Sequence, residues 1–475
     1  MPRKLRSLSD FSQPVRLPLA IAAMAILLTL TLLGPAMTTL GDTESGAGNA
    51  VRQLGYAVVF GLALIAMRPL KHPERLAVVP WFFWLALAWC WLSLAWALDP
   101  GVAVRRLVLT TIVIWSVFAV VRQLGVERTL LFVRIALIAI LIVNYIVVLM
   151  FPAIGLHDLG SDDQLLVGKW RGMMGHKNQA GLVCALTILF FSFDRRKVPY
   201  PVLAGVIALS IVFLWFSASK TSLALVFVAV AVGFGLEKLK AVRGSRPSLS
   251  PMWRNALLIG ASIALLPLIH FGVQSDLFLN YIADSSGLTG RTEIWAAMMR
   301  YYLNNPVFSA GYGSFWNIGN ASPILTYGQG WVKDVAEGHN GYLDLLVTIG
   351  LPGIVLVLMA TLIVPAYRLS FTDQLKGSTW ALVSSIFFFC FAHNFTESSL
   401  FDRDSIGQVF LLLAIGMLWT GEVDKPEDNR DHGGRGRSKP SAARESPALA
   451  LNRRARIRAS EGSGGRGGSA SRRGG

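Results

Sequence analysis

About a dozen apolar runs, separated by short charged segments, constrain this chain more than anything else in it. They fall at residues 17–40, 51–67, 79–98, 107–121, 130–151, 180–193, 202–216, 223–236, 256–271, 342–367, 379–392 and 406–420. A helix needs about 20 apolar residues to cross hydrocarbon, and several runs sit near the lower limit, so their ends carry some latitude. With 53% hydrophobic and 15% charged residues, the 475-residue chain lacks the polar surface a soluble protein of that length needs. The expected fold is an all-α polytopic membrane protein of about 12 transmembrane helices.

Lys and Arg sort the connections into two sides. Alternate ones carry Arg68, Lys71 and Arg75; Arg122 and Arg128; Arg195, Arg196 and Lys197; Lys238, Lys240, Arg243 and Arg246; and Arg368 and Lys376. Arg3, Lys4, Arg6, Arg16 and the Arg-rich tail fall on the same side, which is the cytoplasm of a bacterial inner membrane. Opposite connections hold Asp42, Glu44, Asp158, Asp162 and Asp163; Arg105 and Arg106 run against this distribution. The expected organisation is a cytoplasmic N-terminus (1–16), nine spans (17–271), a periplasmic cap loop with a short amphipathic helix (272–341), three spans (342–420) and a disordered basic cytoplasmic tail (421–475). The first run starts basic and contains Gly34-Pro35-Ala36, like a signal peptide, but it continues to Leu40 and more spans follow, which favours an uncleaved anchor. A net charge of +16 would suit nucleic acid. The basic residues lie in connections and tail, however, and no binding module accompanies them, so no nucleic-acid partner is expected and the bilayer is. Cys90, Cys184 and Cys390 all fall inside apolar runs and read as packing residues.

Two outward connections are long, 152–178 and 272–340, and long loops in compact proteins are usually functional or disordered. Polar groups recur at their ends. In WRGMMGHKNQAG, Arg171, His176, Lys177 and Asn178 precede a span. Asn178 is the expected cap, and the cations would crowd the positive end of the helix dipole unless an anion sits between them; snorkelling anchors are the alternative. Lys220 occupies a short outward turn, either functional or incidental. In LTGRTEIWAAMMRYYLNNP, Ile294, Met298 and Tyr301 recur at helical spacing. Gly290 as cap, with Glu293 three residues on, places Arg291 in the first turn, where a guanidinium beside free N–H groups suits phosphate. In EGHNGYLDLLVTIGLPG, His339 and Asn340 open a span, and Glu337 can hold the imidazole tautomer of a group able to exchange protons near neutral pH; a helix-capping histidine is the alternative. FAHNFTESSLFDRD offers His393, Asn394, Glu397 and Asp402-Arg403-Asp404, whose D-x-D spelling can chelate Mg²⁺ or sit in a solvated loop.

Taken in order, RGMMGHKNQAG, TGRTEIW with NPVFSAGYG, and GHNGYLDLLVTIGLPG resemble the O-antigen ligase and polysaccharide polymerase superfamily. The GHKN spelling is most similar to its exopolysaccharide polymerase branch, typified by the succinoglycan polymerase group. The resemblance implies a GT-C-like membrane glycosyltransferase that uses no cofactor. Its donor would be a polyprenyl-pyrophosphate-linked oligosaccharide, its acceptor a growing polysaccharide, and other exopolysaccharide export proteins are candidate partners. By that analogy Arg171 and Arg291 hold the pyrophosphate and His339 acts at the acceptor, as the catalytic set. His176, Lys177, Asn178, Lys220, Glu337, Asn340 and Glu397 are candidate substrate-binding residues. Cationic stabilisation of the leaving group would dispense with a metal, and a single displacement would invert the anomeric carbon. The ligase branch, with lipid A-core as acceptor, stays open, as does whether His176 or His339 lies nearer the anomeric carbon. A transporter is the non-enzyme alternative, and Gly350-Leu351-Pro352-Gly353 interrupts one span as transporter helices often are.

Overall fold

The computed structural model describes residues 16–39, 50–157, 166–194, 198–243, 291–371, 375 and 377–421. The expected span at 256–271, the cap as far as Gly290, and the tail from 422 lie outside the described residues. Within them the chain is helical, with a single isolated bridge between Leu156 and Trp170 and no strand. In chain order the helices are α1 (Leu17–Thr39), α2 (Ala50–Met67), α3 (Trp81–Leu92), α4 (Pro100–Met150), α5 (Lys177–Ser192), α6 (Tyr200–Ser217) and α7 (Lys220–Arg243). They continue with α8 (Arg291–Asn304), α9 (Gly341–Leu358), α10 (Gly377–His393) and α11 (Ile406–Gly421). Every apolar run that falls in the described residues lies on a helix for most of its length, with 107–121 and 130–151 sharing α4, 79–98 running on past α3 and 342–367 running on past α9. From α9 the chain goes on through a π-helical turn, Met359–Ile363, into Val364–Phe371.

Among the described residues six helical stretches are long and apolar enough to cross a membrane, and Trp81–Ala95, Gly377–His393 and Ile406–Thr420 are shorter apolar helices. The longest, α4, contains Gly125 at φ 73°, ψ 172°, a conformation open to glycine and not to a helix. Its limbs, 100–124 and 126–150, cover to within a residue the two apolar runs read separately from the sequence, 107–121 and 130–151. Burial divides the helices by role. Residues 180–191 of α5 and nearly all of α11 are buried on every side, which accounts for helices apolar all round. By contrast α2, α6 and α7 bury only 28%, 33% and 22% of their apolar windows. Side chains such as Leu209, Val212, Trp215 and Phe227 face outward and require lipid, so this is a multi-pass membrane protein. The three cysteines are buried and unpaired, as expected.

The interruption in α9 is real, and residues 306–310 use it. Gly350 sits at φ 67°, ψ −175°, and a Cβ there would run into the Val307 carbonyl. The backbone groups freed by the break are taken up by neighbours: Leu351 N–H donates to Pro306 O at 3.0 Å, Ala310 N–H and Ser309 Oγ donate to Val347 O, and Trp89 Nε1 donates to Ile349 O at 2.9 Å. A broken helix is therefore a docking seat for 306–310 here. Gly350→Ala adds both the clash and a strained backbone, and is expected to destabilise the protein by about 1–3 kcal/mol, read as a lower Tm of purified protein. Arg106, an exception to the charge distribution, has a similar purpose. Its guanidinium donates to the carbonyls of Gly313 (2.5 Å), Trp316 (2.8 Å) and Asn317 (3.4 Å), pinning the cap loop to α4.

Candidate active site

Four segments far apart in sequence meet around one carboxylate, Glu397. Arg291, first residue of α8, donates from Nη2 to Glu397 Oε1 at 3.0 Å and from Nη1 to Thr396 O at 2.6 Å. Asn178, in the first turn of α5, donates from Nδ2 to the same Oε1 at 2.7 Å. His339 Nδ1 lies 3.2 Å from Glu337 Oε1 and 3.8 Å from Glu397 Oε2. With the Arg291 and Glu397 side chains 18% and 16% exposed, the pair is largely shielded from water.

Each side chain is aimed by local structure. Trp295 of α8 donates from Nε1 to Gly338 O at 2.8 Å, tying the helix that carries Arg291 to the loop that carries His339. His339 itself adopts φ 48°, a left-handed conformation unusual for a residue with a Cβ and often retained at functional sites. The Glu397 loop is fixed by Asn394, whose Oδ1 accepts from Ser399 N, Leu400 N and Ser399 Oγ. It is docked to the start of α9 through Gly341 N–H, which donates to the carbonyls of Asn394 and Glu397. Beneath, buried His393 meets Ser222 Oγ through Nε2 at 3.1 Å.

The α5 terminus departs from expectation in an informative way. His176, not Asn178, is the cap: its Nδ1 accepts from Asn178 N–H at 3.2 Å. His157, which the sequence patterns did not single out, accepts from Lys177 N–H through Nε2 at 3.2 Å. Both imidazoles must be unprotonated at those nitrogens to accept, and burial, outweighing the pull of Glu397, holds His176 down to about 4. The expected cost of cations at a helix N-terminus thus does not arise from His176, which is neutral at physiological pH. The anion called for at this helix end is Glu397, reached through Asn178.

The charges of the cluster depend on one another. Burial would raise the Glu397 carboxyl, but His339, His393 and Arg291 pull it to about 2, so it is an anion under all working conditions. For His339, burial opposes protonation, yet Glu397 and Glu337 prevail and hold the imidazole above its ordinary value. Glu337, whose side chain is half exposed, is itself raised, by partial burial and by neighbouring carboxylates, against the pull of His339. Among the described residues, Glu337, His339 and Glu397 are also the set able to share a cation, with ligand atoms within 4.8 Å of one another. The D-x-D carboxylates are each matched to an arginine instead: Asp402 to Arg403 at 2.9 Å, and buried Asp404 to Arg52.

Of the residues singled out in the sequence, Arg291, Glu337, His339, Asn178 and Glu397 are brought together, with His176 alongside. Arg171 is not joined to them by any hydrogen bond or ion pair; its Nε donates to Ile154 O at 3.0 Å. Lys177 directs Nζ to Ala218 O at 3.4 Å, and Lys220 is exposed at the start of α7. Asn340 caps α9, its Oδ1 accepting from Tyr342 N and Leu343 N.

Residues 180–358 match the family described as O-Antigen ligase. The chain is 26% identical over 199 residues to the "Exopolysaccharide production protein ExoQ" of Rhizobium meliloti (strain 1021), a stretch that is 40% of this chain. It covers 44% of that relative, less than half its length. The family segment includes Arg291, Glu337 and His339 and stops short of Asn178 and Glu397, so the cluster is completed from outside it. Over residues 180–358 this membrane protein is thus similar to the O-antigen ligase family, and the relative it resembles is an exopolysaccharide production protein.

Proposed function

We propose that this protein is a membrane glycosyltransferase that joins polyprenyl-pyrophosphate-linked oligosaccharide repeat units into exopolysaccharide at the periplasmic face of the inner membrane. The observation that carries this reading is the convergence of Arg291, His339, Asn178 and Glu397 from four connections that the charge distribution assigns to one side. An acceptor hydroxyl attacks the anomeric carbon, the bond from that carbon to the diphosphate oxygen breaks, and the lipid diphosphate leaves with the electron pair. His339 takes the hydroxyl proton. Its Nδ1 faces Glu337 and Glu397, so Nε2 is the accepting atom, and the carboxylates behind it stabilise the imidazolium as it forms. Arg291 spends two of its five N–H groups on Thr396 and Glu397, leaving three toward the departing diphosphate. Arg171 stands outside the cluster and serves as a second, more distant contact. Direct displacement inverts the anomeric carbon.

Purified protein in nanodiscs, given lipid-linked repeat units without ATP, is expected to lengthen the glycan, and to do so in EDTA. No lengthening would sink the reading in favour of a transporter. Loss in EDTA would move the leaving-group role to a cation at Glu337, His339 and Glu397. The family description favours a second reading, transfer of finished polymer to lipid A-core. Deleting the gene separates the two: a polymerase leaves single repeat units on lipid, a ligase leaves polymer unattached to core.

The raised pKa of His339 sets the pH response. Only the neutral imidazole accepts a proton, so transfer should rise with pH along a limb centred above the ordinary value of about 6.5. Glu397→Gln removes the main charge holding that limb up, and the midpoint should move to lower pH. An unmoved limb in E397Q would show that another group sets it.

A further inference from the structure

Next to the cluster, and sharing Glu337 with it, is a cavity of about 150 Å³ between the cap and α9. We propose that this cavity is the acceptor subsite and seats one uncharged, hydroxyl-bearing sugar ring of the growing glycan. The inference rests on the glycosyltransferase reading and adds the place and chemical class of the second substrate.

Size is the first argument. An engineered apolar cavity of about this volume holds one six-membered ring, benzene, whereas sites for drug-sized ligands run from roughly 300 to 1,000 Å³. A single pyranose matches this space and an extended glycan does not. Charge is the second. Glu337, Asp344 and Asp402 all present carboxylates to the lining. The lining also holds two guanidiniums, but both are committed, Arg403 to Asp402 and Arg106 to the carbonyls of Gly313, Trp316 and Asn317, which leaves Glu337 and Asp344 as carboxylates not paired with an arginine. These accept hydrogen bonds from hydroxyls, and they repel a diphosphate. A donor sugar is tied to its diphosphate, so this lining favours the acceptor and leaves the donor to the Arg291 side. Preorganisation is the third. Asp344 is held by Trp316, whose Nε1 donates to Oδ1 at 2.7 Å. Tyr312 turns its hydroxyl away, toward Phe401 O and Thr110, which leaves its ring as wall. Aromatic walls around a few placed polar groups are the usual make-up of a small-ligand site.

Two substitutions test the assignment. Thr348, one helical turn beyond Asp344 on α9, lines the cavity, and Thr348→Met fills it. Trp316→Phe keeps an aromatic wall and deletes the N–H that orients Asp344; it decides the matter if the larger side chain prevents folding. The probes are the repeat-unit oligosaccharide released from its lipid by mild acid, as acceptor, and inorganic pyrophosphate, as inhibitor on the Arg291 side. Each variant is expected to raise the acceptor KM by about tenfold or more while pyrophosphate inhibition stays as in wild type. Saturation-transfer NMR should show the free oligosaccharide bound by wild type and released by the variants. Unchanged KM and unchanged saturation transfer in the variants would overturn the acceptor subsite and leave the glycosyltransferase reading standing. Wild-type protein that binds the oligosaccharide through this cavity but transfers nothing would sustain the subsite and sink the reading. Wild-type protein that does neither would sink both.

Discussion

His339→Ala should lower glycan transfer by about two to four orders of magnitude, the usual contribution of a positioned general base. The protein should remain inserted, because the helix cap at the next residue, Asn340, is untouched. A better control exists because the backbone at His339 is left-handed, at φ 48°. Asparagine tolerates that conformation more readily than other residues with a Cβ, and it accepts no proton near neutral pH. His339→Asn should therefore melt near the wild-type temperature and still be inactive. Transfer within a fewfold of wild type in H339N would remove His339 from the chemistry. His176 and His393 would then be the remaining imidazoles near Glu397, although the lowered pKa and helix-cap use of His176, and the Ser222 bond of buried His393, argue against that role.

The helices and the members of the site were legible in the sequence for different reasons. Apolar runs declare themselves because lipid demands them, so every described run became a helix. Outward polar groups at span ends gave Arg291, His339 and Glu397 as members but not their order of importance. Glu397 came last among them, in a segment read mainly for its D-x-D, because a hub is defined by contacts between distant segments that local spelling does not contain. The α5 cap shows the same limit from another side. Asparagine is the commoner capping residue, and nothing local indicates that His176 and His157 each receive a backbone N–H of the first turn; the folded arrangement decides that. Arg106, an exception to the charge distribution, is explained only once the 313–317 carbonyls are seen around it. Gly350 was legible as an interruption. That its freed backbone groups would bond to residues 306–310 was not legible there, because those partners are distant in sequence.

Arg291→Ala should abolish transfer through two effects that a single measurement confuses. Losing the cation removes about two to three orders of magnitude in kcat if the guanidinium faces the departing diphosphate. It also strands Glu397 as an anion with little access to water, and breaking one half of such a shielded pair costs about 3–5 kcal/mol of stability. Thermal melting alongside kinetics separates the two. Arg291→Ala alone should melt well below wild type, whereas R291A combined with E397Q restores charge balance and should recover much of the lost Tm. Transfer should stay abolished in the double variant. Arg291→Lys keeps the charge and gives up the planar fork, so it should fold normally and recover only part of the rate. Recovery of transfer in R291A/E397Q to near the level of E397Q alone would mean that Arg291 serves only to neutralise Glu397. The diphosphate would then have to be held elsewhere, with Arg171 the next cation to test.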